Sequence, residues 1–124
     1  ITGTGVDVVC DPVGGAFSES ALRSMAWKGR YLVVGFASGV IPQFPANIPL
    51  LKGCSIIGVF WGSFSEQEPA KNKQNMDALM SMAVAGTISQ HIDKVYSLGE
   101  APAALDDLMN RRVRGKVVVR VSSE

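Results

Sequence analysis

The stretch Gly5-Val-Asp-Val-Val-Cys-Asp-Pro-Val-Gly-Gly15 decides the fold of this chain of 124 residues. Residues 6–10 form a near-continuous apolar run rich in β-branched side chains, which is typical of a strand covered on both faces in a parallel sheet. Asp11-Pro12 ends that strand, and the glycine pair leads into a helical pattern. The apolar positions of this helix are Phe17, Ala21, Leu22 and Met25, and Lys28-Gly29 are predicted to end it.

The same alternation of strands and helices continues downstream. Strands are predicted at residues 30–36, 55–61, 92–98 and 116–121, and helices at residues 66–85 and 100–111. Residues 37–49 are predicted to be a long loop, with one short helical turn at residues 47–51. The order predicts an α/β fold with a parallel sheet. The apolar stripe of the long helix is expected in the core or a subunit contact; it comprises Met76, Leu79, Met80, Ala83 and Val84.

Composition indicates a globular protein and favours neither a nucleic-acid nor a membrane partner. Hydrophobic residues make up 47% of the sequence, and 12 basic against 11 acidic side chains leave a formal net charge of +1. This balance gives no basic footprint for nucleic acid, and no apolar run approaches the roughly 20 residues that cross a bilayer. Cys10 and Cys54 are expected to be buried, reduced thiols, which favours a cytoplasmic protein with the mitochondrial matrix as the alternative.

Residue types that carry acid–base or metal chemistry are sparse. His91 is the only histidine, and no nucleophile or zinc ligand accompanies it at a suitable spacing, so we expect it at the surface or at a cap. Asp11, before Pro12, is predicted to serve the turn rather than to pair with Asp7 as an acid–base couple. We therefore predict no catalytic residue and no metal ligand in this chain.

Four blocks of sequence, in order, resemble zinc-free quinone oxidoreductases of the medium-chain dehydrogenase/reductase superfamily. The blocks are residues 5–15, 29–39, 51–62 and 115–119. The resemblance implies that residues 1–88 form the second half of a nicotinamide-cofactor domain, which is strands four to six of a Rossmann-type doubly wound parallel sheet. Residues 89–124 would be a C-terminal β-α-β tail that returns toward a GroES-like catalytic domain.

The resemblance also implies a cofactor site at the carboxyl ends of these strands. The residues that it implies are Val13, Gly14, Gly35, Phe36, Ala37, Ser38, Phe60, Trp61, Gly62 and Lys116. Val13 and Gly14 would lie beside the cofactor. Residues 35–38 would border the nicotinamide and its ribose, and the backbone of residues 60–62 would hold the carboxamide. Lys116 would lie near the cofactor phosphates, although a solvated lysine at a strand start is an equal alternative. The expected cofactor is NADPH, with NADH still open.

Other parts of such an enzyme have no counterpart in this sequence. The Gly-rich turn that seats a pyrophosphate on a helix N-terminus is missing, since Gly3-Thr4-Gly5 precedes a strand instead of following one. The GroES-like domain that would form most of the substrate cleft is missing too. We therefore expect the chain to be a C-terminal fragment that is inactive by itself.

The third predicted strand, from Ser55 to Trp61, would be the edge of the sheet and is strongly apolar. An unpaired apolar edge promotes aggregation, and the resemblance implies that this edge pairs with its copy across a two-fold axis. We expect a homodimer through this strand.

The activity that the resemblance implies is hydride transfer to a small-molecule substrate, a quinone or another α,β-unsaturated carbonyl compound. Two alternatives stay open at this point. One is an enoyl-thioester or acyl-CoA reductase, and the other is a non-catalytic crystallin-like or RNA-binding protein on the same fold. The near-zero net charge and the glycines at the strand ends favour an enzyme.

Overall fold

A sheet of three parallel strands organises the first part of the chain in the computed structural model, which describes residues 5–122. The strands are β1 (Val6–Asp11), β2 (Met25–Val33) and β3 (Ser55–Gly58), and they lie side by side in that order. Helix α1 (Phe17–Arg23) connects β1 to β2, and the short helix α2 (Asn47–Lys52) precedes β3. This arrangement confirms the predicted α/β fold. The Gly3-Thr4-Gly5 motif lies almost wholly outside the described residues.

The chain divides into two compact units, Ile1–Pro69 and Ala70–Glu124. After β3 come the helices α3 (Trp61–Gln67) and α4 (Pro69–Val84). The second unit continues with β4 (Ile92–Ser97), a 3₁₀ turn (Leu98–Glu100), α5 (Ala101–Met109) and β5 (Lys116–Arg120). Because β4 and β5 pair in parallel, the predicted β-α-β tail is confirmed. A functional boundary after residue 88 stays a prediction. Within residues 5–122, no helix has the length and apolar character that a membrane span needs.

Strand β2 begins earlier than the sequence predicts. The helix was expected to include Met25, but α1 ends at Arg23 and Met25 pairs with Val6 of β1. The backbone N–H of Val6 donates to the Ser24 carbonyl at 3.0 Å, so a contact that is distant in sequence starts the strand here. The next pair after Val6 and Met25 is Val8 with Arg30. Between these two pairs β1 advances by two residues, whereas β2 advances by five. The extra residues form a bulge in which Ala26 and Gly29 are buried and Trp27 is exposed.

Strand β3 ends earlier than predicted. Its pairing with β2 stops at Gly58 opposite Val33, and one further bond runs from the Val59 N–H to the Val33 carbonyl at 2.8 Å. Beyond Val33 the N–H groups of Gly35 and Ala37 donate to carbonyls at the end of β1 and in the turn after it, and no further pair joins β2 to β3 in the described residues. Phe60 is extended and Trp61 begins α3, which corrects the prediction of strand through residue 61.

The core of the first unit lies between β2 and the two helices that pack on it. Leu22, Met25, Tyr31 and Ile48 are buried together, and the ring of Phe44 meets Tyr31 edge-on at a centroid distance of 5.2 Å. One expectation about burial is wrong: Cys10 is exposed and only Cys54 is partly buried. The stripe of α4 lies outside the core, since Met76, Leu79, Met80 and Val84 are all exposed. A role of this stripe in a subunit contact stays a prediction.

Polar contacts connect α5 to β4 in the second unit. The Oδ2 atom of Asp107 accepts hydrogen bonds from Lys94 Nζ and from the Tyr96 hydroxyl, both at 2.5 Å. Arg112 Nη1 lies 3.2 Å from Asp107 Oδ1. The bonds from Lys94 and Tyr96 lower the pKa of Asp107 to about 2, and Arg112 adds to this effect. Ala104, on the same helix, is buried.

Candidate functional site

The turn that follows β1 is built around the side chain of Asp11. Its Oδ1 atom accepts hydrogen bonds from the backbone N–H groups of Val13 at 2.9 Å and Gly14 at 2.8 Å. This is an Asx turn, in which a carboxylate satisfies amides that the strand has left unpaired. The predicted role of Asp11 in the turn is therefore confirmed. It fixes the main chain of Val13 and Gly14, for which the resemblance implies a place beside a cofactor.

Backbone hydrogen bonds fasten the loop after β2 to this turn. The Ala37 N–H donates to the Pro12 carbonyl at 3.1 Å, and the Ser38 N–H donates to the Val13 carbonyl at 2.9 Å. In the other direction, the Gly15 N–H donates to the Val40 carbonyl at 3.0 Å. Residues 11–15 and 34–40 are named here the paired loops. The structure thus brings together six of the predicted site residues: Val13, Gly14, Gly35, Phe36, Ala37 and Ser38.

Two glycines allow the paired loops to lie so close. Gly14 has a φ of +69°, and a Cβ atom there would lie 2.8 Å from the Val40 carbonyl oxygen and 3.0 Å from the Phe36 ring. At Gly35 a Cβ would meet the Pro12 carbonyl oxygen at 3.3 Å. A side chain at Gly14 would therefore force the loops apart as well as strain the backbone.

The second carboxylate oxygen of Asp11 connects the turn to the core. Its Oδ2 atom accepts a hydrogen bond from Ser18 Oγ at 2.8 Å and another from the Tyr31 hydroxyl. Burial alone would raise the pKa of Asp11, but the bonds from Tyr31, Gly14, Ser18 and Val13 outweigh it and lower the pKa to about 2. Burial and the bond to Asp11 raise the pKa of Tyr31. At neutral pH the turn is thus held by a carboxylate and a neutral phenol.

Sequence reasoning missed Ser18 and Tyr31 as members of this site. Both side chains are buried, and each carries a hydroxyl group into an otherwise apolar environment. The signals in the sequence are a tyrosine within the apolar strand β2 and a serine in the first turn of α1, the helix that precedes this strand. Neither signal identifies Asp11 as the shared partner, because that depends on how β1, α1 and β2 pack.

A shallow pocket of about 270 Å³ lies along the turn and α1. Phe17 is 81% exposed beside it. The pocket is lined mostly by apolar atoms; its walls are Val9, Cys10, Asp11, Pro12, Val13, Gly14, Phe17, Ser18, Ala21 and Tyr31. Two of the predicted site residues, Val13 and Gly14, therefore contribute to a concave surface as well as to the paired loops.

The third predicted segment leaves the sheet at the same edge. The Val59 N–H bonds to the end of β2, so Phe60 follows directly on the carboxyl end of the sheet. Phe60 and Trp61 are exposed, and Gly62 lies inside the first turn of α3. A role for residues 60–62 at the cofactor stays a prediction.

The remaining candidates lie in the second unit. Lys116 is exposed at the start of β5, and its N–H donates to the His91 carbonyl at 2.9 Å; its role at a cofactor phosphate stays a prediction. The His91 ring is exposed, as expected, and its Nε2 atom lies 3.8 Å from Asp93 Oδ1. Within residues 5–122, no group of three or more His, Cys, Asp or Glu side chains is placed to hold a metal ion.

Comparison with known proteins gives consistent results. A family described as zinc-binding dehydrogenase matches residues 1–119. The chain is 39% identical over 115 residues to quinone oxidoreductase-like protein 2 of Bos taurus, which covers 93% of the chain and 33% of the relative. It is 34% identical over 122 residues to an NAD-dependent alcohol dehydrogenase of Sulfolobus acidocaldarius, covering 98% of the chain and 33% of the relative. The chain thus spans about a third of the length of these curated relatives.

Solved structures show the same relationship. A mycobacterial protein crystallised in complex with NADPH superposes with a TM-score of 0.80 at 25% identity, over 96% of this chain and 36% of that one. The family match covers nearly the whole sequence, and the sheet order agrees with it. The chain therefore belongs to the zinc-binding dehydrogenase family, which confirms its resemblance to quinone oxidoreductases of the medium-chain dehydrogenase/reductase superfamily.

Proposed function

We propose that this chain forms the nicotinamide side of a cofactor site in an oxidoreductase that transfers hydride from NADPH to a quinone or another α,β-unsaturated carbonyl compound. The observation that carries the proposal is the pair of hydrogen-bonded loops at the carboxyl edge of β1 and β2. In open α/β sheets, ligands bind in the crevice at this edge. Quinone reduction fits the names of curated relatives such as the Bos taurus protein.

The residues of the paired loops fit a flat, partly apolar ring. Val13 and Phe36 each expose an apolar side chain, 46% and 40% accessible, on loops that glycines bring together. No ionisable side chain lies among residues 34–40, so the second loop places no formal charge beside the ring. When bound, the nicotinamide cofactor supplies the hydride. The protein's residues would orient it: Val13 and Gly14 from one loop, residues 35–38 from the other, and the backbone of residues 60–62.

The cofactor is proposed to be NADPH. The solved mycobacterial neighbour holds NADPH, whereas the Sulfolobus acidocaldarius relative is named as NAD-dependent. Lys116 would add a positive charge toward the cofactor phosphates. The proposed reaction needs no zinc ion, so a chelator should leave the activity unchanged.

The activity test is oxidation of NADPH and of NADH by the full-length protein with quinones, enones and acyl-CoA esters. NADPH oxidation with quinones or enones is expected, and none is expected from residues 1–124 alone, since the relatives are about three times as long. Gly14→Ala should weaken NADPH binding, because its Cβ would meet Val40 and Phe36. The matched control is Gly39→Ala, since Gly39 has a φ of +78° but no atom within 4 Å of its Cβ position.

Three results would contradict the proposal. If the full-length protein neither binds nor oxidises NADPH, a crystallin-like or RNA-binding role is favoured. If it turns over acyl-CoA esters selectively, thioester reduction is favoured. Equal losses in Gly14→Ala and Gly39→Ala would mean that the close approach of the paired loops does not matter to the cofactor.

The protein is further proposed to be a cytoplasmic homodimer joined through β3. This strand is an edge of the sheet, all four of its residues are exposed, and Ile56 and Ile57 are each 38% accessible. Such an edge can pair with a second copy. Ile57→Pro should convert the dimer to a monomer in light scattering of the full-length protein, with a circular dichroism spectrum that shows the variant still folded. An unchanged mass would contradict pairing through β3.

A further inference from the structure

The carboxylate of Asp11 divides its hydrogen bonds between the loop side and the core side of the first unit. Oδ1 accepts from the turn, at the N–H groups of Val13 and Gly14. Oδ2 accepts from Ser18 of α1 and Tyr31 of β2, both of which are buried. The carboxylate therefore connects the turn to the core, and its Oδ1 bonds hold the shape of the turn by themselves.

We propose that Asp11 is a positioning residue for NADPH, which holds the main chain of Val13 and Gly14 where the cofactor binds. This inference rests on the function proposed above and deepens it. Asp11 acts through the two loop residues and takes no part in hydride transfer.

The main chain of Asp11 extends this role to the second loop. Its carbonyl oxygen accepts hydrogen bonds from the N–H groups of Val34 at 2.9 Å and Gly35 at 3.3 Å. A shift of Asp11 would therefore move the start of residues 34–40 together with the turn. Because the carboxylate stays ionised at neutral pH, its bonds to the two amides are charge-assisted, which makes them stronger than bonds between neutral groups.

The two sides of the carboxylate can be tested separately. Asp11→Ala removes the acceptors on both sides. The double variant Ser18→Ala/Tyr31→Phe removes only the core-side donors and leaves Oδ1 with its two amides. Asp11→Glu keeps a charged acceptor but moves it by one methylene, and it replaces Asp11→Ala if that variant does not fold. The measurements are the NADPH dissociation constant by fluorescence titration of the full-length protein, the KM for NADPH, kcat and the melting temperature.

Loss of the loop-side bonds should weaken NADPH binding more than it lowers kcat. Asp11→Ala and Asp11→Glu are expected to raise the dissociation constant and the KM for NADPH about tenfold, with a smaller effect on kcat. The double variant is expected to lower the melting temperature while its dissociation constant stays within about twofold of the parent value.

Different failures have different meanings. A parent protein that does not bind NADPH contradicts the proposed function itself, and with it this inference. If the parent binds NADPH but Asp11→Ala or Asp11→Glu binds it equally well, Asp11 does not position the cofactor loops. If the double variant loses affinity as much as the Asp11 variants do, the role of Asp11 is a general structural one, and the positioning proposal is overturned.

Discussion

Helix α1, strand β2 and helix α2 bury four apolar side chains together in the first unit, whereas Ala104 is the buried side chain of residues 70–122. The first unit also buries a serine and a tyrosine hydroxyl against Asp11. In the second unit, α5 is connected to β4 through the exposed and half-exposed groups around Asp107. Since burial of apolar surface is the main favourable term in folding, the first unit has a core of its own and the second gains much less from burial.

The largest expected effect separates these two kinds of packing. Leu22→Ala should lower the free energy of unfolding of the first unit by about 2–5 kcal/mol, because it opens a cavity beside Met25 and Tyr31. The matched substitution Leu105→Ala, at a leucine that is 61% exposed, should cost about 0.5 kcal/mol or less. Hydrogen-exchange mass spectrometry reports the opening of each unit separately. Equal costs would mean that the second unit is packed as tightly as the first.

A smaller effect tests the backbone of the second unit. Gly115 has a φ of +113°, and a Cβ there would lie 2.6 Å from the His91 carbonyl oxygen, next to the bond that joins β4 to β5. Gly115→Ala should therefore destabilise this unit by about 1–3 kcal/mol. Gly86→Ala is the control, since Gly86 also has a positive φ but has open space at its Cβ position, and it should cost about 1 kcal/mol. Faster exchange of β5 amides only in Gly115→Ala is the expected result.

The smallest effect concerns pH, because the Lys94 and Arg112 side chains that pair with Asp107 are exposed and screened by solvent. The pKa of Asp107 is lowered from 3.8 to about 2. A carboxylate with a depressed pKa stabilises the fold above its unfolded-state value, and that contribution is lost as pH falls from about 4 toward 2. Asp107→Asn should therefore destabilise the second unit at neutral pH and weaken its loss of stability between pH 4 and 2.

Asp11→Asn provides the reciprocal control, because the pKa of Asp11 is also about 2 but Asp11 lies in the first unit. Each substitution should change acid-induced hydrogen exchange in its own unit only. A change in both units from either substitution would show that the two are not independent in acid.

The parts of the fold that the sequence predicts correctly depend on local patterns. The β1 strand, the Asx turn at Asp11 and the β-α-β tail are confirmed because each follows from residues adjacent in the chain. The ends of β2 and β3 were missed because they depend on partners. Strand β2 begins at Met25 because Met25 pairs with Val6, whose N–H also donates to the Ser24 carbonyl. Strand β3 pairs with β2 only as far as Gly58 opposite Val33.

Burial and the inner part of the site were harder to predict for the same reason. The spacing of Met76, Leu79 and Met80 indicates an apolar helix face, but burial requires a second surface, and none in the described chain covers these residues. At the site, the resemblance supplied the loop residues, whereas the convergence of Ser18 and Tyr31 on Asp11 required the packing of three elements.

The paired loops also limit how this site can be redesigned. The Ala37 and Ser38 amides bond to carbonyls of the neighbouring loop, and the Gly15 amide bonds back to Val40. If only one of the two loops were replaced by the corresponding segment of a relative, its backbone would not match the loop that was kept. Loop exchange between members of this family should therefore move residues 11–15 and 34–40 as a single cassette.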